Sequence, residues 1–307
     1  MTASSRVTLV TGGDAGYFPL LEELTRSLRR LPGGGSQPLV ILDGGLEPTQ
    51  RTALEALGAR TLDPGWCAPQ AERRARGRTH LKINVAKLHL DRLLPEADII
   101  AWIDGDAWLQ TLDCLDLFRM VADKGKFAVV SQASRRQTRQ VSFRRLVGGY
   151  VELRNILYKN ARRAGLPAHL STALMARPTL NAGAFALSAR APHWSRWRHW
   201  QEQVLQSGRL FTSDQLAMGL AAYVDGLPFE ALPASCNYMG PWRWDAARGQ
   251  FVDFCPPYAP VSVIHLVGHD AMRADASVTV DMVDMADRPM RASLRFGHTP
   301  ADVPATG

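Results

Sequence analysis

Apolar positions along the chain fall into short unbroken runs that alternate with stretches in which they recur every three or four residues. Arg6 to Gly12 is the first such run, followed by a glycine-rich loop, Gly12 to Tyr17. The next stretch predicts a helix with Leu20, Leu21, Leu24 and Leu28 on one face. Pro38 to Asp43 reads as a second buried strand, Pro48 to Leu57 as a short helix and Arg60 to Leu62 as a third strand. Strand–helix alternation of this kind predicts an α/β fold: a mostly parallel, Rossmann-like sheet with flanking helices. The arginine-rich Ala71 to Lys82 reads as an exposed loop, and Leu81 to Leu94 as one amphipathic helix presenting Ile83, Ala86, Leu90 and Leu93. Ile99 to Ile103 is apolar without alternation, as expected of a strand covered on both faces.

Further on, Leu112 to about Lys124 predicts a helix, Phe127 to Val130 a strand, and Val141 to Ala164 a helical pattern. Leu180 to Leu187 is a strand with a small, polar beginning. The helix after it carries Trp194, Trp197 and Trp200, a spacing that favours packing over ligand contact. Thr212 to Gln215 opens another helix with Ser213 as its expected cap, and Phe229 to Leu232 and Val261 to His265 are late strands. Residues 1–297 are expected to form one domain, with 298–307 a disordered tail.

Composition narrows the picture in three ways. At 307 residues the chain can bury a large core, and its apolar runs are too short to span a bilayer. Cys67, Cys114, Cys236 and Cys255 show no CxxC spacing, so free buried thiols in a reducing, cytoplasmic setting are expected over a zinc site or a disulfide framework. The net charge of +7 is concentrated: residues 131–178 hold nine Arg, one Lys and one acid, Glu152. That points to a local anionic partner. Arg135, Arg136, Arg139, Arg144 and Arg145 precede an apolar stretch with Val151, Leu153, Ile156, Leu157 and Tyr158, a combination that suits a basic amphipathic helix at an acidic membrane surface or an anionic acceptor. A solvated basic face is the competing reading, and no nucleic-acid reading motif accompanies the charge.

The chemistry centres on Asp104-Gly105-Asp106, which ends the apolar run at Ile103. Ligands of open α/β sheets bind at the carboxyl ends of strands. Residues two apart in extended backbone share a side, so both carboxylates can converge on one hard cation, Mn²⁺ or Mg²⁺, which can neutralise a diphosphate. Gly105 is expected to let a ligand approach the backbone. An acidic turn after a buried strand is the alternative. Asp14 suits either a base or ribose contact or a helix cap.

Several motifs in order carry a resemblance. Thr11-Gly12-Gly13-Asp14-Ala15-Gly16-Tyr17, Ala86-Lys87-Leu88, Asp104-Gly105-Asp106, Asn181-Ala182-Gly183, Asp214-Gln215 and His265-Leu266-Val267-Gly268 together resemble nucleotide-sugar glycosyltransferases of the GT-A fold, most closely glycosyltransferase family eight. The resemblance runs from Val7 to about Gly268 and implies a metal-dependent, retaining transfer of a hexose from a UDP-sugar to a glycan, lipid-linked or other anionic acceptor. It implies Asp104, Asp106 and His265 as metal ligands, with His269 the nearby competitor. It places Thr11, Asp14, Tyr17, Lys87, Gly105, Gly183 and Gly268 at the donor, and Asp214, Gln215 and Asn181 at the reacting sugar. Each has a plainer reading: a surface lysine for Lys87, a strand beginning for Asn181 and Gly183, first-turn polarity for Asp214 and Gln215.

The chain departs from the family after the histidine, where a diphosphate-binding lysine is missing and Arg273 is the candidate substitute. Pro241-Trp242-Arg243-Trp244 suits either a sugar-stacking platform for the acceptor or a core edge. A nucleotidyltransferase acting on sugar phosphates is a rival reading, although the first loop lacks that class's basic residues. A non-catalytic nucleotide- or glycan-binding module is another. The expected location is cytoplasmic or membrane-peripheral.

Overall fold

A computed structural model of the chain describes residues 5–133, 142–145, 148–149 and 151–302. Its strands in chain order are β1 (Val7–Gly13), β2 (Leu39–Asp43), β3 (Arg60–Leu62), β4 (Ile99–Ile103), β5 (Ala107–Leu109), β6 (Phe127–Ser131), β7 (Ser142–Arg145), β8 (Val151–Arg154), β9 (Leu180–Ser188), β10 (Phe229–Leu232), β11 (Arg243–Asp245), β12 (Gln250–Val252), β13 (Val263–His265), β14 (Val280–Asp284) and β15 (Pro289–Ala292). The central sheet has the order β10-β6-β9-β4-β1-β2-β3. Its pairings are parallel except for β9, which runs antiparallel to both β4 and β6. A smaller sheet, β12-β11-β14-β15, packs at one end, and β5 pairs with β13 alone.

Both faces of the sheet are covered, as the unbroken apolar runs require. On one side Trp102, Phe127 and Phe185 meet the helices His193–Ser207 and Ser213–Tyr223; on the other Leu9, Ile41 and Ile103 meet Phe18–Arg30 and Asp113–Ala122. Trp194 and Trp197 are fully buried, and Trp197 stands edge-on to Phe127 at 4.9 Å, so the tryptophan spacing is packing. A further cluster under the small sheet contains Trp108, Tyr238, Trp242, Trp244 and Phe251. Trp242 and Trp244 are therefore core residues, and the acceptor-platform reading of that loop falls.

Other expectations are revised. The stretch expected as a loop holds the helix Pro69–Ala75, because Ala71 and Ala75 are small enough to pack flush against Leu81, Val85 and Leu205. The single helix expected over 81–94 is three pieces, Leu81–Ala86, a 3-10 turn Lys87–His89 and Leu90–Leu93. Ser213 is not a side-chain cap: its hydroxyl donates to the Leu210 carbonyl instead. The helical pattern over 141–164 is a hairpin, β7 with β8, before the helix Ile156–Arg163. The amphipathic-helix reading of Val151 and Leu153 is thereby overturned, and Arg135, Arg136 and Arg139 lie outside the described residues. Thr299 is buried in a turn that its hydroxyl closes onto Asp302 (2.6 Å), so structure continues past 297. All four cysteines are free, with Cys114 and Cys236 buried and the other two partly exposed. No helix of the described residues is long and apolar enough to cross a membrane.

Candidate functional site

Topology brings three distant parts of the chain to one point. Asp104 leaves the carboxyl end of β4. Because β9 is antiparallel to β4, its first residues lie beside that end, and the Asp104 N–H donates to the Gly183 carbonyl (2.8 Å). The turn at Gly105 then enters β5, whose pairing sets His265 opposite Ala107, while the Leu266 N–H donates to the Asp106 carbonyl (2.9 Å). Asp104, Asp106 and His265 consequently converge, with one ligating atom from each within 4.8 Å of the others.

The atoms that do not face this point are held from outside. Asp104 Oδ1 accepts from Lys87 Nζ (2.7 Å) and Trp102 Nε1 (2.8 Å). Asp106 Oδ2 accepts from Arg273 Nη1 (2.6 Å). His265 Nδ1 lies 2.7 Å from Asn237 Oδ1, which can only accept, so Nδ1 carries the hydrogen and Nε2 turns to the carboxylates. Nε2 is 3.2 Å from Asp106 Oδ1 and 3.8 Å from Asp104 Oδ2. Burial alone would lower the imidazole's pKa, but the two carboxylates raise it; burial alone would raise that of Asp106, but His265 and Arg273 hold it well below the usual range.

Gly183 tests the fit. A Cβ there would lie 2.7 Å from His265 Cε1 and 2.8 Å from Asp104 Oδ2, so the space beside the ligating atoms exists only because the residue is glycine. Two carboxylate oxygens and an oriented imidazole suit Mn²⁺ or a similar hard divalent ion.

This point is on the wall of a cleft of about 410 Å³. Lys87, almost fully buried, sits in it between Asp104 and Asp214 Oδ2 (3.5 Å), with the Trp102 ring 4.7 Å from its ammonium. Burial would discharge the lysine, and the two carboxylates outweigh it; burial likewise raises the pKa of Asp214, against the pull of Lys87. Lys87 thus neutralises two acids as well as facing the cleft. Gln215 lines the cleft and anchors to the Leu180 carbonyl (3.0 Å), and Asn181 Oδ1 accepts from the Gly183 N–H (2.8 Å).

The remaining expected residues divide. Asp14 lines the cleft and caps the short 3-10 turn after β1, accepting from the Tyr17 N–H (3.2 Å). Tyr17 lines the cleft, with its hydroxyl 3.3 Å from Arg273. Arg273 reaches the site because Gly268, at φ +80°, turns the chain into the helix Asp270–Ala274. Gly268 is exposed beside the cleft-lining Val267, and Thr11 is wholly buried inside β1 beside the cleft-lining Gly12. Gly105 lines the cleft, and a Cβ there would meet the Gly12 carbonyl at 2.7 Å, so packing against β1 also requires its glycine.

Sequence reasoning missed Trp102, Asn237, His80, Asn84 and Phe211. Trp102 was findable, two residues before Asp104 on the same side of the strand. Asn237, orienting His265 from 28 residues away, left no local signal.

No family model and no curated protein matches the chain. Solved structures do match. The apo structure of WbbM, a bifunctional glycosyltransferase, has 15% identity and a TM-score of 0.50; the match covers 80% of this chain and 40% of that chain. The galactosyltransferase LgtC, solved with donor and acceptor sugar analogues, has 16% identity and a TM-score of 0.50 over 84% of this chain and 86% of that one. An active-site mutant of LgtC aligns similarly, at 15% identity. At such identity the likeness is one of architecture: this chain has the GT-A fold, a large and mostly parallel α/β sheet with an Asp-x-Asp acidic cluster at the carboxyl end of β4.

Proposed function

We propose that the chain is a metal-dependent glycosyltransferase that moves a hexose from a nucleotide diphosphate sugar, a UDP-hexose, to a glycan or lipid-linked acceptor. The carrying observation is the set Asp104, Asp106 and His265, each oriented by an outer partner and gathered around space that Gly183 keeps open. A divalent cation bound there would supply Lewis-acid stabilisation of the departing nucleoside diphosphate.

The chain's own residues do the rest. Arg273 holds Asp106 and adds positive charge on the side where the family's lysine is missing. Tyr17 and Asp14 line the cleft where the chain leaves β1, the place for a nucleoside. Lys87 keeps Asp214 beside the reacting sugar, and Gln215, tied to Leu180, presents an amide to its hydroxyls. Retention of configuration rests on the resemblance to family eight.

The test is a thermal-shift panel of nucleotide sugars with and without Mn²⁺, followed by donor hydrolysis. One donor should raise Tm only with metal, since binding to the native state stabilises it by mass action. Asp106→Asn should cut hydrolysis at least a hundredfold while the variant stays folded. Full activity in excess chelator, or in that variant, overturns the reading.

A further inference from the structure

The cleft has two chemically different ends. Asp14, His80, Asp104, Asp106, His265 and Arg273 make one of them charged. The other gathers around the start of β9 and of the helix Ser213–Tyr223, where Asp214 is paired with the buried Lys87 (3.5 Å) and the remaining polar side chains, Gln132, Asn181, Thr212 and Gln215, are neutral. Backbone contacts tie this end together: the Gln132 N–H donates to the Thr179 carbonyl (2.9 Å), Gln215 Nε2 to the next carbonyl, Leu180 (3.0 Å), and Asn181 follows directly.

Phe211 stands at this neutral end. It occupies a tight turn closed by the Ser213 N–H and hydroxyl, both donating to the Leu210 carbonyl (3.2 and 2.8 Å). Leu210 and Ser213 are buried, so the turn is fixed from both sides, yet Phe211 between them is 68% exposed. Five large apolar side chains are exposed among the described residues, and Phe211, the most exposed, lines the cleft together with Val267. Holding an aromatic ring in water forgoes its burial, and a rigid backbone beneath it makes a preformed contact surface.

We propose that Phe211 is the platform on which a neutral pyranose ring of the acceptor stacks, with Thr212, Gln132 and Gln215 meeting its hydroxyls. A sugar ring offers a C–H face and an equatorial belt of hydroxyls, which matches one aromatic plane beside uncharged donors and acceptors. Phe211 lines the same cleft as Asp214 and the acidic cluster, so a ring stacked there would share that cleft with a bound donor. The inference rests on the transferase reading for the word acceptor, and on the cleft alone for the sugar site.

The experiment is ligand-observed NMR of the full chain with methyl hexopyranosides of glucose, galactose and mannose, each with and without UDP and Mn²⁺, and with n-octanol as a separate arm. At least one hexoside should bind the parent. Phe211→Ala should weaken that binding at least tenfold, Phe211→Trp should restore it, and thermal midpoints should confirm that both variants are folded. In transfer assays Phe211→Ala should raise the hexoside KM at least tenfold while kcat falls less than threefold. No hexoside binding to the parent, equal binding by Phe211→Ala, or octanol binding that alone depends on Phe211 would each overturn the proposal. Loss of hexoside binding in Phe211→Ala beside absent donor hydrolysis in the parent would leave the sugar site standing and sink the transferase reading.

Discussion

His265 and His269 lie four residues apart and have opposite surroundings. His265 is buried, hydrogen-bonded at Nδ1 and aimed with Nε2 at two carboxylates. His269 is half-exposed beside the Trp242 ring (6.3 Å), and burial together with Arg273 lowers its pKa. His265→Ala should therefore weaken Mn²⁺ binding, read by calorimetry, at least a hundredfold, and His269→Ala by less than twofold. Asn237→Ala should fall between them, a loss of about tenfold, because partners that orient a ligating imidazole are worth about 10–100-fold in metal affinity. Equal losses at 265 and 269 would mean the wrong imidazole has been chosen. Gly183→Ala is a sharper probe: its one added carbon lands among the ligating atoms. Metal binding should be lost while the circular dichroism spectrum is unchanged, and retained binding would show that the ion sits elsewhere.

Among the elements, Trp242 illustrates what a sequence conceals. Two tryptophans in a loop that follows a proline read equally well as a platform or as packing. The structure buries Trp242 against Tyr238 and Phe251, with ring centres at 5.2 and 5.7 Å. Trp242→Ala should cost about 3–5 kcal/mol in urea denaturation, as expected for emptying an aromatic site, and change acceptor KM little. Elements with a strong local pattern were legible: β1, β2, β4 and the helix Phe18–Arg30 follow from runs and periods alone. The acidic pair at the end of β4 was legible too, because a strand's end and its side-chain period are local facts. Three things were not. The direction of β9 is not written in its apolar run; β7 and β8 carry too little periodicity to separate strand from helix; and nothing local marks the break at Lys87, whose partners Asp104 and Asp214 lie far along the chain.

The whole molecule responds to pH through groups its fold neutralises. His89, in the same short turn as Lys87, is buried near Arg198 and Arg92, and burial with these charges lowers its pKa to about 4. An unfolded histidine titrates near 6.5, so the unfolded state takes up the proton first as pH falls. The stability that neutral His89 contributes is complete above about pH 6.5 and is lost as pH falls toward 4. Its share of the loss between pH 7.5 and 5 is about 2 kcal/mol. His89→Gln, which cannot titrate, should flatten that part of the urea-midpoint profile, and an unchanged profile would assign the acid sensitivity to other groups.

The candidate site sits among contacts that close very long loops of the chain. Arg273 reaches back 167 residues to Asp106; Trp108 donates to the Leu294 carbonyl 186 residues on (2.7 Å), and Arg295 grips Glu23 across 272 (2.7 Å). A ribosome-bound chain that had emerged only as far as β9 would own most of its central sheet and both aspartates, but no imidazole to complete them. Closing such long loops is slow and comes after local structure has formed. The Asp104–Asp106–His265 set, on which the proposed activity rests, is therefore completed only once the segment from β13 to Arg273 has docked.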